Sequence, residues 1–269
     1  MALNDIGGLD RMQDELPLEI RPRSTNGEIV YAIGDIHGRY DLLKALLALI
    51  SEDQAKAPLA IRKRIIFCGD YVDRGPASSW VVEALKWIRA SSRFDVCMLM
   101  GNHEQSLLRF IEGSSDPRDW LAYGGAETLM SYGVQPPVAG NAADCDRARA
   151  ELLQAMPASH LDFLAGLQLK VTVGDYAFVH AGIRPGVPLD AQETSDLLWI
   201  RGPFIDAEGP FEKVIVHGHT WISDRPQQLP HRIGIDTGAY ETGVLTAVRL
   251  HGDDVSFLRA EGSLGVAAA

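Results

Sequence analysis

Three times in the first 112 residues, an apolar run ends in a glycine, a polar cluster follows, and then comes a segment with helical spacing. The run EIVYAI (28–33) ends in Gly34-Asp35-Ile36-His37-Gly38. YDLLKALLALI (40–50) follows, its leucines recurring at three- and four-residue intervals. RIIFC (64–68) ends in Gly69-Asp70, and a second helical segment covers about 77–90. FDVCMLM (94–100) ends in Gly101-Asn102-His103-Glu104, and EQSLLRFIE continues from there. Strand, loop and helix recurring at about 30 residues predict βαβ units and hence parallel strands. In such sheets binding groups gather at the carboxyl ends of the strands, which is where all three clusters fall.

The stretch 113–168 breaks this beat. It contains Trp120, Tyr123, Gly124-Gly125, Tyr132, Pro136-Pro137 and a helical stretch near 146–165, so we expect a helical insertion. From 169 the pattern turns β-rich: LKVTV, YAFVHAG, KVIVHGH, HRIGIDTG, GVLTAVRL and VSFLRA. Short strands between turn signals predict a second sheet. Two sheets face to face with helices outside make an α/β sandwich of layers. There is no internal repeat, and the expected organisation is a lead-in (1–27), one domain (28–260) and a tail (261–269).

Composition narrows the function classes. The net charge is −11, from 36 acids against 25 bases, whereas a grip on nucleic acid needs concentrated basic surface. No stable nucleic-acid partner is expected. The short run Arg62-Lys63-Arg64 leads into an apolar stretch and reads as a solvated strand entry. Cys68, Cys97 and Cys145 are odd in number, far apart and without C-x-x-C spacing, which fits buried thiols in a reducing compartment. The N-terminal segment is polar and lacks the apolar core of a signal peptide. No stretch of about 18 apolar residues exists, so the expectation is a cytoplasmic protein without a membrane partner.

The polar clusters carry the chemistry. Asp35-x-His37 puts a carboxylate and an imidazole at one strand end. Gly69-Asp70-Tyr71-Val72-Asp73-Arg74-Gly75 adds two carboxylates and an arginine within a glycine-bounded turn. An N-cap role accounts for Asn102 alone, but not for His103 and Glu104 beside it. His180-Ala181-Gly182 and His217-Gly218-His219-Thr220 close two later strands. Five of the eight histidines lie in these five clusters, a concentration that argues against scattered structural histidines. Oxygen and imidazole donors without thiolate suit Mn, Fe, Zn or similar ions.

G-D-I-H-G, G-D-Y-V-D-R-G, G-N-H-E, H-A-G and G-H-T, in this order over about 29–249, resemble the phosphoprotein phosphatase branch of the calcineurin-like metallophosphoesterases. WLAYGGAETLMSYG in the middle segment is similar to the bacterial and lambda-phage type. The resemblance implies two mixed sheets flanked by helices and two divalent ions, Mn first with Fe or Zn as alternatives. It implies Asp35 and His37 on one ion, Asp70 bridging, and Asn102, His180 and His219 on the other. His219 is chosen over His217 because the family's ligand is the histidine of G-H-T. A metal-bridging hydroxide is then expected to attack phosphorus in line, the ions being roughly 3.5 Å apart. His103 is expected to protonate the leaving oxygen and Asp73 to orient it. Arg74, Arg201 and Asn102 are expected to bind the phosphate, since planar bidentate cations suit its oxygens. The leading expectation is a serine/threonine protein phosphatase acting on phosphoprotein or on a phosphorylated small molecule. The alternatives are a dinucleoside polyphosphate hydrolase and a non-catalytic metal- or phosphate-binding scaffold. In the first of these, Trp120, Tyr123 or Tyr132 would stack on a base, although core packing accounts for them as well. A nuclease is disfavoured by the charge and by G-H-T in place of paired histidines.

Overall fold

Apolar spacing and proline placement decide where the helices stop and which faces they bury. In the computed structural model the chain is described at residues 23–92, 94–138 and 141–263. The first half reads β1 (Ile29–Ile33), α1 (Tyr40–Lys56), β2 (Lys63–Phe67), α2 (Ser78–Ser91), β3 (Asp95–Met98) and α3 (Asn102–Glu112). The leucine stripe of α1 buries Leu42, Leu43, Leu46 and Ile50. The helix ends at Lys56, two residues before Pro58, which disfavours helical backbone ahead of itself.

The segment that follows α3 is helical: α4 (Pro117–Trp120), one π-helical turn (Leu121–Gly125), α5 (Ala126–Ser131), α6 (Ala142–Ala155) and α7 (Ala158–Ala165). The single helical stretch expected near 146–165 is therefore two helices. Pro157 lacks an N–H and forces Met156 into extended backbone (ψ 122), which splits them. The second half holds β4 (Lys170–Val173), β5 (Tyr176–Val179), α8 (Thr194–Trp199), α9 (Gly202–Ile205), β6 (Val214–His217), β7 (Gln227–Gln228), β8 (Arg232–Gly234), α10 (Ala239–Thr242), β9 (Val244–His251) and β10 (Asp254–Glu261).

These strands make two five-stranded mixed sheets, ordered β10-β9-β1-β2-β3 and β4-β5-β6-β8-β7. β1, β2 and β3 are parallel and β9 runs antiparallel to β1. Alternation along each strand separates the layers. Ile29, Tyr31 and Ile33 of β1 pack under the helices, while Val30 and Ala32 face the other sheet. In β5, Tyr176 and Phe178 meet the first sheet, and Ala177 and Val179 pack outward with Leu197 and Phe204. The result is an αββα sandwich.

Of the expected lead-in, residues 1–22 lie outside the described residues. Ser24 and Thr25 are tied down: Ser24 N–H donates to Asp175, and Thr25 Oγ1 accepts from Gly252 N–H. Of the expected tail, 264–269 lie outside the described residues, and Ser263 O accepts from Arg39. Arg62 and Arg64 pair with Glu28 and Asp95 at the strand entry. Cys68 and Cys145 are buried free thiols and Cys97 is half-buried. Among the described residues, no helix is long and apolar enough to cross a membrane.

The leucine stripe of α1 gives a direct check. Leu46→Ala is expected to lower unfolding free energy by about 2–5 kcal/mol in urea titration, whereas exposed Glu52→Ala stays within about 0.5 kcal/mol. Equal effects would contradict the packing described.

Candidate metal centre

The carboxyl ends of β1, β2, β5 and β6 and the start of α3 converge on one buried pocket. Asp70 sits at its centre. His37 Nε2, His180 Nε2 and His103 Nε2 lie 3.5, 3.4 and 3.8 Å from its carboxylate. Two triads of potential donor atoms share it: His37–Asp70–His103 and Asp70–His180–His219. Asn102 Oδ1 is 2.8 Å from His180 Nε2, at the second triad. Asp35 stands outside both triads and accepts from His219 N–H at 3.0 and 3.1 Å.

The backbone is strained to achieve this. Among the described residues six non-glycine residues have positive φ, and five of them are His37, Asp70, Asp73, Arg74 and His219. Each such residue costs about 1–3 kcal/mol and persists only where its surroundings over-determine it. Glu104 supplies much of that support. Its carboxylate accepts from the N–H groups of Asp70, Tyr71, Val72 and Gly101 at 2.7–3.2 Å. The glycines of the motifs make room for carboxylates. A Cβ at Gly101 would lie 2.1 Å from Asp70 Oδ1, and one at Gly218 2.0 Å from Asp35 Oδ1.

The donor set fits divalent ions. His37 Nδ1–H donates to Val72 O at 2.9 Å and His180 Nδ1–H to Cys68 O at 2.8 Å, leaving both Nε2 lone pairs turned to Asp70. His219 Nε2 is buried with no hydrogen-bond partner. Burial depresses His37 and His180 and pushes His219 down to about 2, so the rings are neutral. Burial, then Asp236 and Asp70, raises Asp35 well above the usual carboxylate range; burial also pushes Asp236 up to about 6. Three carboxylates crowded beside neutral imidazoles form a site that positive charge would complete.

His103 differs from these. Its Nδ1 lies 2.7 Å from Asp73 Oδ2. Burial works against its charge, but Asp70 and Asp73 outweigh it and raise its pKa, so this ring tends to hold a proton. His217 points elsewhere: Nδ1–H donates to Gly218 O, and Nε2 lies 3.5 Å from Arg232 Nη1. Arg74 spreads over the Tyr240 ring at 4.6 Å. Arg201 is exposed at the start of α9, close enough to depress His180 and His219 further. Sequence reasoning assigned no role to Glu104 and passed over Asp236 and Tyr240 in I-D-T-G-A-Y. The polar cluster at the end of β8 was the available signal.

A family model for calcineurin-like phosphoesterases matches residues 29–240. The chain belongs to the calcineurin-like phosphoesterase family. As a metallophosphoesterase it is 26% identical over 234 residues to an asymmetrical bis(5'-nucleosyl)-tetraphosphatase of Bacillus mycoides, covering 81% of this chain and 88% of that one. It is 35% identical over 156 residues to a symmetrical bis(5'-nucleosyl)-tetraphosphatase of Methylococcus capsulatus, but spans only 44% of that relative's length. Its fold matches a structure described as a candidate diadenosine tetraphosphatase, with TM-score 0.60, 20% identity and coverage of 88% and 96%. It also matches a serine/threonine phosphatase of Saccharomyces cerevisiae, with TM-score 0.52, 16% identity and coverage of 94% and 87%. At these identities the two structures speak for the fold alone.

Because Asp70 belongs to both triads, Asp70→Asn is expected to lose bound Mn²⁺ and phosphoesterase turnover together, by metal analysis after desalting and by assay. EDTA is expected to inactivate the wild-type protein and Mn²⁺ to restore it. A variant that keeps about two ions and its activity would overturn this account of the centre.

Proposed function

We propose that this metallophosphoesterase hydrolyses dinucleoside polyphosphates, using Asp35, His37, Asp70, Asn102, His180 and His219 to hold two divalent ions. The observation that carries the substrate class is an aromatic rim at the metal centre. Tyr123 is 49% exposed, its ring 6.3 Å from that of His103 and 6.5 Å from that of Trp199. Trp199 is braced by its Nε1–H to Gln105, and Tyr240 lies edge-on to His37 beneath Arg74. A planar base can stack on such a rim while its phosphates reach the arginines. The two other aromatic residues considered for this task are occupied elsewhere. Trp120 is buried against Phe110, and Tyr132 Oη bonds to His160 Nδ1.

The expectation of a protein phosphatase rested on likeness in the middle segment. A relative that matches most of this chain is named for a nucleotide polyphosphate, which supports the alternative reading. Bound divalent ions would supply an activated water and neutralise phosphoryl charge. The chain's own groups do the rest. Arg74 and Arg201 hold phosphate oxygens in the orientation for displacement. His103 Nδ1–H donates to Asp73, so a protonated ring presents Nε2–H to the leaving oxygen. Asp73 positions His103 and favours its charged form.

Diadenosine tetraphosphate, a phosphoserine peptide and a phosphotyrosine peptide should be compared under one Mn²⁺ condition. We expect kcat/KM to favour the dinucleotide by more than about a hundredfold, near 2.7 kcal/mol. Tyr123→Ala is expected to raise KM for it by about tenfold while sparing p-nitrophenyl phosphate. A peptide preference, or a Tyr123→Ala variant indifferent to the base, would refute the proposal.

A further inference from the structure

The helical segment between α3 and β4 grips the Asp73-Arg74 turn at four points. Trp120 Nε1–H donates to Asp73 Oδ2 at 2.9 Å and approaches Oδ1 at 3.2 Å. Thr128 Oγ1 lies 2.7 Å from Asp73 Oδ1 and 2.9 Å from Asp73 N. Arg74 N–H donates to Gly124 O at 3.0 Å, and Arg74 Nε to Tyr123 O at 3.4 Å. These partners lie about fifty residues away in sequence. They flank or form the π-helical turn Leu121–Gly125, a device that bends a helix locally and is frequent at functional sites.

Asp73 needs this grip. Its side chain is 0% exposed, and both Asp73 and Arg74 have left-handed backbone (φ 72 and 67). A buried carboxylate requires donors on both oxygens. His103 supplies one, and Trp120 and Thr128 supply the others. With both oxygens engaged, Asp73 is held in the one orientation that keeps His103 Nδ1–H bonded and aims Nε2 at the centre. Trp120 is itself fixed, 1% exposed, with its ring centroid 4.5 Å from that of Phe110. A Cβ at Gly125 would come within 2.5 Å of the indole, so the glycine exists to admit that ring.

We propose that Trp120, backed by Thr128, is a positioning residue for proton delivery: it locks Asp73 against His103, so the helical segment forms part of the reaction machinery. The proposal rests on the reading of His103 as the donor to the leaving oxygen. Loss of the indole N–H alone should then degrade proton delivery while leaving phosphate binding intact.

Trp120→Phe keeps the packed ring and removes the donor. We expect its kcat to fall by about 10- to 100-fold for phenyl phosphate, a poor leaving group, but only a few-fold for p-nitrophenyl phosphate, with KM nearly unchanged and the melting temperature lowered by only a few degrees. In a His103→Asn background the same substitution should cost almost nothing further, because the two act as one unit. Thr128→Val should show the same pattern, more weakly. In the metal-free protein, the indole proton resonance absent from Trp120→Phe should move upfield in Asp73→Asn. Equal losses for both esters, full additivity with His103→Asn, or an indole proton blind to Asp73 would each overturn the proposal. If His103→Asn itself kept full activity on phenyl phosphate, the failure would lie with the underlying general-acid reading, and the single variants separate the two cases.

Discussion

Burying the Asp70 carboxylate costs several kcal/mol unless donors and positive charge surround it. Three imidazole nitrogens stand within 3.8 Å, and His103 N–H donates to it at 3.1 Å. Burial works to raise its pKa, but His103, the one neighbouring ring that tends to hold a proton, counters it, and on balance Asp70 lies below the usual carboxylate range. It therefore stays anionic where two sheets meet. To bring those groups together, β1, β2, β5 and β6 must end at one level, with α3 beginning there as well. The sandwich can be seen as the scaffold that makes one buried anion tolerable, and the crowding of Asp35 and Asp236 nearby shows that the histidines alone do not balance the charge.

Five left-handed site residues, at about 1–3 kcal/mol each, carry strain comparable to the whole stability of a typical domain. Such strain must be met by dedicated supports. Glu104 meets it around Asp70, with one carboxylate binding four N–H groups. The Leu121–Gly125 turn and its flanks meet it around Asp73 and Arg74. Charge-assisted bonds in a dry interior are strong enough for the task.

How much of this was legible depends on which kind of signal a residue leaves. Ligand-type side chains at strand ends announce themselves, because His180 follows an apolar run directly, Asp35 and Asp70 follow one after a single glycine, and His37 lies two residues beyond Asp35. The first sheet was legible for the same reason: β1 buries both faces and reads as an unbroken apolar stretch, and β2 turns apolar after its basic entry. Supporting roles leave no such trace. Glu104 looks like a partner in chemistry, but its oxygens are used up by backbone. Trp120 and Tyr123 are three residues apart and equally aromatic, yet one is buried against Asp73 and the other faces the centre. Only the π turn, with Gly124 at φ 104, separates them, and no periodicity in the sequence predicts that kink. What sets His217 apart from His219 is likewise where Arg232 and Asp35 lie, contacts made across 15 and 184 residues.

The overall charge of −11 sits oddly with the proposed polyphosphate substrate, which is itself strongly anionic. Screening resolves this. At physiological ionic strength the Debye length is about 8 Å, so surface acids farther away than that count for little at the centre. What a phosphate meets on arrival is the local set: Arg74 on its Tyr240 cushion, Arg201 at the rim, and whatever ions the triads hold. A centre rich in carboxylates attracts divalent cations first, and only when loaded does it attract an anion. The acidity of the site and its appetite for phosphate are thus successive steps of one electrostatic sequence. That order also explains why the arginines stand outside the carboxylate cluster: placed within it, they would compete with the ions for the same oxygens.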